Sequence, residues 1–416
     1  MAPVTITPEM TLFEITEQYP ETIQVFAANG FVQVADPAKR TSHGKLVTLA
    51  QAMQMKNKDL ETFRQLLEGA VHESRTAEDI TLRAAPNHQS LFPRTGDVRV
   101  AGLLPCPVRL PLLEGFASVQ NKLAAQGVEV SCELAAASVG ADVLGRELVG
   151  ITSEDDLPHL FLSAGFEAFF DRKNLRRFKD QGAFVDRAWD HLNAAFAGYD
   201  LQDPDRHFSM LAVVPAVFLV DKDQIGEGEE IPRTWADLLV ERFTSRVALP
   251  VGDFDLFNGI LLTLWKEFGD AGVRALARNL QQSLHPSQTA GRFAAGRGRG
   301  PTVSVIPYFF SKMARLNPQA EVVWPSDGAI ISPIFMLLRR QAPEAAATVA
   351  DYFCSREVGD ILAQRGLFPS CHPEVDNPLP PEATFRWLGW DFVREHDLGE
   401  LIPHLNQVFH TSGASA

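Results

Sequence analysis

The sequence has few cysteines, and none of them form a close pair. The four residues, Cys106, Cys132, Cys354 and Cys371, are widely separated along the chain. A zinc knuckle or a small disulfide framework requires closely spaced cysteines, so neither kind of site is predicted. Buried free thiols are the expected state for all except Cys106, which lies between two prolines at the end of a predicted strand.

Positive charge is also scarce, and long apolar runs are missing. The chain has 38 basic and 52 acidic residues, a net charge of -14, which disfavours nucleic acid and anionic lipid as partners. No run approaches the roughly 18 apolar residues of a membrane helix, so no membrane insertion is predicted. Residues 1–19 lack a basic leader and an apolar stretch, and we expect a cytoplasmic protein.

The common catalytic motifs are missing as well. The sequence contains no GxSxG elbow, HExxH pair or Walker loop, so we expect a protein that is not an enzyme. The glycine-rich residues 296–300 precede a strand instead of joining a strand to a helix, which indicates a solvated connector. Cys371 and His372 are adjacent between prolines, which is typical of a turn and not of a metal-ligand pair.

Five short apolar runs are each followed by a turn and then, in most cases, by helical periodicity. These runs are Val98–Leu104, His159–Leu162, Val247–Leu249, Thr302–Ile306 and Val322–Trp324. Repetition of strand, loop and helix predicts a doubly wound α/β fold with both sheet faces covered. In such sheets, ligands bind beyond the carboxyl ends of the strands.

The turn after the fifth run carries the most polar groups. Pro325 cannot donate to a sheet ladder, and Asp-Gly favours a reversal of the chain. The sequence therefore predicts that Ser326, Asp327 and the Gly328 amide are exposed there. Together with the other strand-end turns, this gives the predicted ligand-binding residues Cys106, Pro107, Arg109, Ser163, Gly165, Phe166, Asp253, Asp255, Tyr308, Ser326, Asp327 and Gly328.

Two signs of ligand charge are compatible with these residues. Carboxylates at Asp253, Asp255 and Asp327 would place like charges close together and favour a cation or metal complex. Strand-end amides and helix N-termini would instead favour an anion, with Arg109 assisting. We favour the cation, with Cys106, Asp255, Tyr308 and Asp327 as candidate metal ligands. Asp255 as a helix cap and Asp327 as a turn former are the structural alternatives.

Two long apolar runs suggest how the chain is divided. Phe208–Val220 and Ile330–Leu338, interrupted by Pro215 and Pro333, predict strands that cross between two lobes and form a hinge. The predicted divisions are a helical domain at 1–72, a polar linker at 73–95, the first lobe at 96–212, the second lobe at 213–328, and a return to the first lobe with C-terminal helices at 329–416.

This layout resembles the type II periplasmic-binding-protein fold, particularly the substrate-binding components of ABC importers in the ferric-iron group. The residues that carry the resemblance are 213–215, 250–258, 324–328 with 332–333, 368–370 and 387–391. The resemblance implies a two-lobed clamshell that closes on a small ligand, with iron or another metal ion as the candidate bound group. Ferric-binding members use adjacent tyrosines, whereas this sequence has Tyr308 followed by two phenylalanines.

The first seventy residues are similar to a small helical domain found beside hybrid-cluster and other redox proteins. The similarity runs from Ile6 through Pro20 to Gly30, after which that family has a pair of cysteines. Here Phe31 to Asp36 contains none, so no redox disulfide is expected. What the resemblance then implies is a module for docking a protein partner or for self-association.

Three functions follow, of which solute binding is the leading one. An enzyme on the same fold is the first alternative, because a pyrimidine-forming enzyme of thiamine synthesis is similar and Cys106 is a candidate nucleophile. A ligand-dependent protein-interaction module is the second, based on the N-terminal domain.

Overall fold

The chain divides into two compact units, residues 1–87 and 88–416. The boundary falls within the predicted linker at 73–95, most of which lies outside the described residues. This computed structural model describes residues 6–19, 22, 26, 31, 34, 37–56, 60, 63–64, 67, 92–104, 106–136, 144–145, 147–166, 168–251, 254–283, 300–311 and 319–413.

The described part of the first unit is helical. Its helices are α1 (Leu12–Gln18), α2 (Pro37–Ser42) and α3 (Leu49–Met55). Thr11 and Thr48 each cap the start of a helix with a capping box. In each box, the threonine hydroxyl accepts from the backbone N–H of the third helical residue, and the side chain of that residue accepts from the threonine backbone N–H. The two caps also pair with each other as a β-bridge. The helical character predicted for this domain is therefore confirmed for its described residues.

The strands of the second unit occur close to the predicted positions. They are β1 (Val98–Leu104), β2 (Val130–Ala136), β3 (Leu160–Ala164), β4 (Phe184–Val185), β5 (Phe208–Asp221), β6 (Val247–Leu249), β7 (Leu280–Ser283), β8 (Val303–Pro307), β9 (Ala320–Val323), β10 (Ala329–Arg339) and β11 (Phe385–Arg386). The α-helices are α4 (Cys106–Ala124), α5 (Arg177–Asp180), α6 (Phe254–Asn279), α7 (Glu344–Phe353), α8 (Arg356–Asp360), α9 (Trp390–Glu395) and α10 (Leu398–Gly413).

One mixed sheet joins these strands in the order β2-β1-β3-β10-β5-β8-β6-β7. Strands β1, β2 and β3 are parallel, and so are β6, β7 and β8. Strands β5 and β10 lie between the two parallel groups; they are antiparallel to each other, β10 is antiparallel to β3, and β5 is antiparallel to β8. The predicted α/β class is confirmed, with each parallel group forming the sheet of one lobe.

The predicted crossing strands are present. The first part of β5 pairs with β10, and its last part, from Ala216 to Val220, pairs with β8. Strand β10 continues from this pairing into the first lobe, where Ile334–Leu338 pair with β3. All of β10 and all but the last residue of β5 are buried. Both strands are thus fixed by apolar contacts on both faces. Strand β5 pairs with strands of both lobes, and β10 follows the second-lobe strand β9 and joins the sheet of the first lobe.

Aromatic rings pack on one face of this central pair. Phe170 stacks on Phe208 at 4.9 Å between centroids, and Trp390 contacts Phe208 at 5.5 Å. Helix α6 bends at Gly269, whose φ of 59° is outside the helical region. Helix α10 packs along α6, with Phe409 contacting Phe257 at 5.1 Å. The C-terminal return therefore covers the helix of the second lobe as well as the first lobe.

His159, immediately before β3, is a titratable group built into the sheet. Its Nδ1 accepts from the Arg99 backbone N–H at 3.0 Å, and its carbonyl accepts from the Arg339 amide at 2.9 Å. Burial, followed by the positive charges of Arg99 and Arg339, lowers the pKa of His159 from 6.5 to about 4. The neutral imidazole is therefore the form that the folded protein accommodates.

We expect the protein to lose stability between pH 6.5 and pH 4 because the unfolded chain protonates His159 more readily. The loss should be about 1–2 kcal/mol, since solvent screening at this half-buried site reduces the full effect. Urea unfolding across this pH range would measure it. His159→Asn retains an acceptor for the Arg99 amide and should show a shallower pH dependence. Identical profiles for both proteins would contradict the assignment.

Candidate functional site

The carboxyl ends of β1 and β8 come together at Phe368. A Cβ at Gly366 would lie 2.5 Å from Val108, which is in the first turn of α4 after β1. Phe309, in the turn after β8, contacts Phe368 at 6.5 Å between ring centroids. Residues 366–368, from the C-terminal part of the chain, thus contact the turn after a first-lobe strand and the turn after a second-lobe strand.

Leu367 sets the position of that segment. It follows the helical residues that end at Arg365 and has a φ of 47°, the left-handed conformation that usually requires glycine. The Phe368 amide then donates to the Leu362 carbonyl at 3.0 Å. Beyond it, the Val213 amide on β5 donates to the Pro369 carbonyl at 3.0 Å. No sequence pattern predicts a left-handed residue at this position, because leucine rarely adopts that conformation.

The carboxyl end of β3 is arranged around Phe166. Ser163 is buried, and its hydroxyl donates only to the adjacent Ala164 carbonyl at 3.4 Å among the bonds of the described residues. Gly165 has a φ of 84°, and its amide donates to the Pro333 carbonyl on β10 at 2.9 Å. Phe166 is buried and therefore contributes to the wall of the site through packing.

Two elements meet Phe166 from other parts of the unit. Its ring stacks on Trp387 at 5.6 Å and 25°. A Cβ at Gly259 in α6 would lie 3.5 Å from Phe166 and 2.6 Å from the Ser332 hydroxyl on β10. Glycine at position 259 therefore permits close packing of the helix that follows β6 against the end of β3 and the crossing strand.

Tyr308 begins a single helical turn after β8. Its ring is buried against Trp324 at 5.2 Å, whereas the neighbouring Phe309 is half-buried. A packing role thus accounts for the described contacts of Tyr308.

Some predicted residues cannot be assigned contacts. Cys106, Pro107 and Arg109 lie in the first turn of α4, but their side chains are outside the described parts, as is Asp253. Helix α6 begins at Phe254, so Asp255 lies inside the first helical turn, and its prediction as the cap before Leu256 is wrong. A carboxylate in a first turn is favourable with the helix dipole. Ligand contacts by these residues stay predictions.

The turn between β9 and β10 is occupied by protein contacts. The Asp327 carboxylate accepts from the Trp235 amide at 3.1 Å and pairs with Arg386 at 3.1 Å. The Gly328 amide donates to the Pro325 carbonyl at 2.9 Å, so the prediction that this amide is exposed is wrong. This bond closes the turn on itself, and Gly328 is buried.

The remaining groups of this turn follow the same pattern. Ser326 is exposed, yet its amide and hydroxyl both donate to the Arg233 carbonyl, at 2.7 and 3.1 Å. Gly328 has a φ of 98°, and its carbonyl accepts from the indole of Trp235 at 3.0 Å. The turn as a whole therefore forms a structural connection beside the crossing strands.

Metal-binding and nucleophilic groups are sparse in the described parts. Within those parts, no three His, Cys, Asp or Glu side chains form a group that could hold a metal ion. Cys354 and Cys371 are buried free thiols, as predicted, and burial raises the pKa of Cys354 to about 12 and that of Cys371 further. Neither thiol is a nucleophile at neutral pH. Across the described helices, none has the length and apolar composition needed to span a bilayer.

Comparisons with known families and structures agree with this architecture. Residues 155–396, more than half of the chain, match the family described as bacterial extracellular solute-binding protein. Residues 6–63 match a domain of unknown function (DUF1858), which fits the small N-terminal domain predicted from the sequence. No curated protein matches the sequence.

Solved structures share the fold at low identity. Apo ferric ion-binding protein A of Pasteurella haemolytica has 12% identity and a TM-score of 0.53, over 74% of this chain and 97% of that one. An ABC transporter structure from Clostridium perfringens has 16% identity and a TM-score of 0.51, over 74% and 99%. A two-component system protein that mediates signal transduction has 12% identity and a TM-score of 0.52, and the match covers 74% of this chain and 99% of that one. The predicted type II periplasmic-binding-protein fold is confirmed.

We expect Asp327→Asn to lower the free energy of unfolding by about 1–2 kcal/mol, because it weakens the bonds to Trp235 and Arg386. Chemical denaturation would measure this change. The matched control is Asp391→Asn, since Asp391 is 90% exposed and pairs with Arg394 at 3.5 Å. That variant should remain within about 0.5 kcal/mol of the unmodified protein. Equal stability of both variants would contradict the structural role of Asp327.

Proposed function

The chain belongs to the bacterial extracellular solute-binding protein family, and we propose that it binds one small ligand by closing two lobes around it. The observation that carries this proposal is that the chain passes between the lobes twice: along β5, which pairs with β10 and then with β8, and along β10, which follows the second-lobe strand β9 and pairs with β3 of the first lobe. Rotation about this pair would bring the strand ends of one lobe towards those of the other. Ligands of open α/β sheets bind at such strand ends.

We further propose that the ligand is a metal complex or another cation. The support is partly in the sequence, where Asp253 and Asp255 follow β6, and partly in the parallel pairing of β6 with β8, which is followed by Tyr308. It is also in the half-buried rings of Phe309 and Trp387, since aromatic faces attract cations. A metal held in an organic chelator, or an organic cation, suits aromatic surroundings better than a bare ion.

The N-terminal domain belongs to this proposal as a docking or self-association module. Its support is the family match over residues 6–63. Two helices of this region have their own capping boxes, which is consistent with a separate helical module. Removal of residues 1–87 would separate the two roles, because the second unit is compact by itself.

Solution scattering with and without ligand tests lobe closure. We expect a smaller radius of gyration when a ligand binds, in full-length protein and in residues 88–416 alike. Ligands would first be found by thermal shift against metal salts, gallium citrate, spermidine, phosphate and sulfate. Identical scattering profiles under saturating ligand would contradict closure.

The same thermal-shift panel tests ligand sign. Asp255→Asn should lower the apparent affinity for the cationic ligand about tenfold, because it removes a carboxylate near the ligand. The thermal shift at a given ligand concentration should fall accordingly. Asp391→Asn is the matched control, since Asp391 also lies in the first turn of a helix but is exposed. Stabilisation by phosphate or sulfate, with none from any cation or complex, would contradict the proposed charge.

A further inference from the structure

Most indole N–H groups of this protein donate hydrogen bonds, and among the buried indole N–H groups of the described residues there is one exception. Four of the six tryptophans, Trp235, Trp265, Trp324 and Trp390, donate to named acceptors at 2.7–3.0 Å. The exception is Trp387, whose Nε1 is buried and has no acceptor among the described residues. An indole N–H can only donate, so it has no other way to be satisfied.

Such a group is costly to retain. A buried donor without a partner disfavours the folded state by about 1–3 kcal/mol. Phenylalanine would fill most of the same space without that cost. Buried polar groups that lack protein partners are rare, and each one calls for a specific explanation, a ligand contact among them.

The position of Trp387 is consistent with a ligand contact. Its ring stacks on Phe166, just beyond the carboxyl end of β3, and contacts Trp390 at 5.8 Å. Phe166 in turn is next to Gly259 in the helix that follows β6. The indole therefore lies where elements of both lobes and the crossing strand β10 meet.

The residues on either side hold Trp387 in place. Arg386 pairs with Glu267 at 2.7 Å, and the Leu388 carbonyl accepts from Lys266 at 2.9 Å. Both contacts are made to α6, on the second lobe. These contacts position the backbone on either side of Trp387, and the stack on Phe166 orients its ring.

We propose that the Trp387 Nε1–H donates to an oxygen atom of the bound ligand. This inference rests on the proposed solute-binding function and narrows its ligand class. A bare cation has no acceptor, whereas a metal chelated by carboxylates, or another oxygen-bearing organic molecule, supplies one. Phe166 and Trp387 would then provide an apolar wall, and the N–H would fix the orientation of the ligand.

The test compares Trp387→Phe with Trp265→Phe in the full-length protein. Gallium citrate is the probe, and titration calorimetry measures its affinity; citrate alone and spermidine are titrated in parallel. We expect Trp387→Phe to bind gallium citrate about tenfold more weakly, because one hydrogen bond is lost. Trp265→Phe, in which the lost indole donates to the Asp270 carboxylate at 3.0 Å, should bind within twofold of the unmodified protein.

A spectroscopic measurement on the unmodified protein avoids reliance on a variant. In ¹⁵N-labelled protein, the indole N–H signal of Trp387 should move downfield when gallium citrate binds, and that of Trp265 should not. Equal affinity of both variants for gallium citrate, with an unmoved Trp387 signal, would overturn this inference and leave solute binding intact. Binding of spermidine without binding of gallium citrate would also overturn the Trp387 contact and leave solute binding intact. Failure of every compound to bind would overturn the proposed function together with it.

Discussion

The antiparallel pairing of β5 with β10 is the constraint on which the rest of the second unit depends. Both strands are buried on both faces, so a register shift would move apolar side chains away from their neighbours along the whole pair. Because β3 pairs with β10 and β8 pairs with β5, this register also sets where the strand ends of each lobe lie. The candidate site is therefore positioned by the hydrophobic packing of two strands that hardly enter it.

A second connection between the lobes lies in residues 385–390. Arg386 and Leu388 bind α6 of the second lobe, whereas Trp387 and Trp390 pack on Phe166 and Phe170 of the first. Any closure about β5 and β10 must either keep these contacts or exchange them. Since the Lys266 and Arg386 contacts are polar and partly exposed, they can be exchanged at lower cost than the stacked rings.

Much of the fold was predictable, because its signals are local. Val98–Leu104 and Val247–Leu249 are apolar runs bounded by polar or turn residues, and the structure has both strands with those limits. The turn at Asp327 was less predictable. The sequence shows a polar Asp-Gly reversal, but its partners, Trp235 and Arg386, are 92 and 59 residues away along the chain. No local pattern reports contacts of that kind.

The same distinction explains which site residues the sequence reveals. Asp327, Ser326 and Gly328 attract attention because they are polar and adjacent, yet the folded chain pairs their groups internally. Trp387 lies in the segment 387–391 that carries the family resemblance, but nothing in the sequence marks it as a ligand-binding residue, although its N–H is the buried indole donor left without a described acceptor. Composition shows which groups can bind a ligand, but only the complete set of hydrogen bonds shows which remain unused. Binding capacity in this protein is thus a property of the fold's unmet hydrogen bonds more than of its conspicuous polar residues.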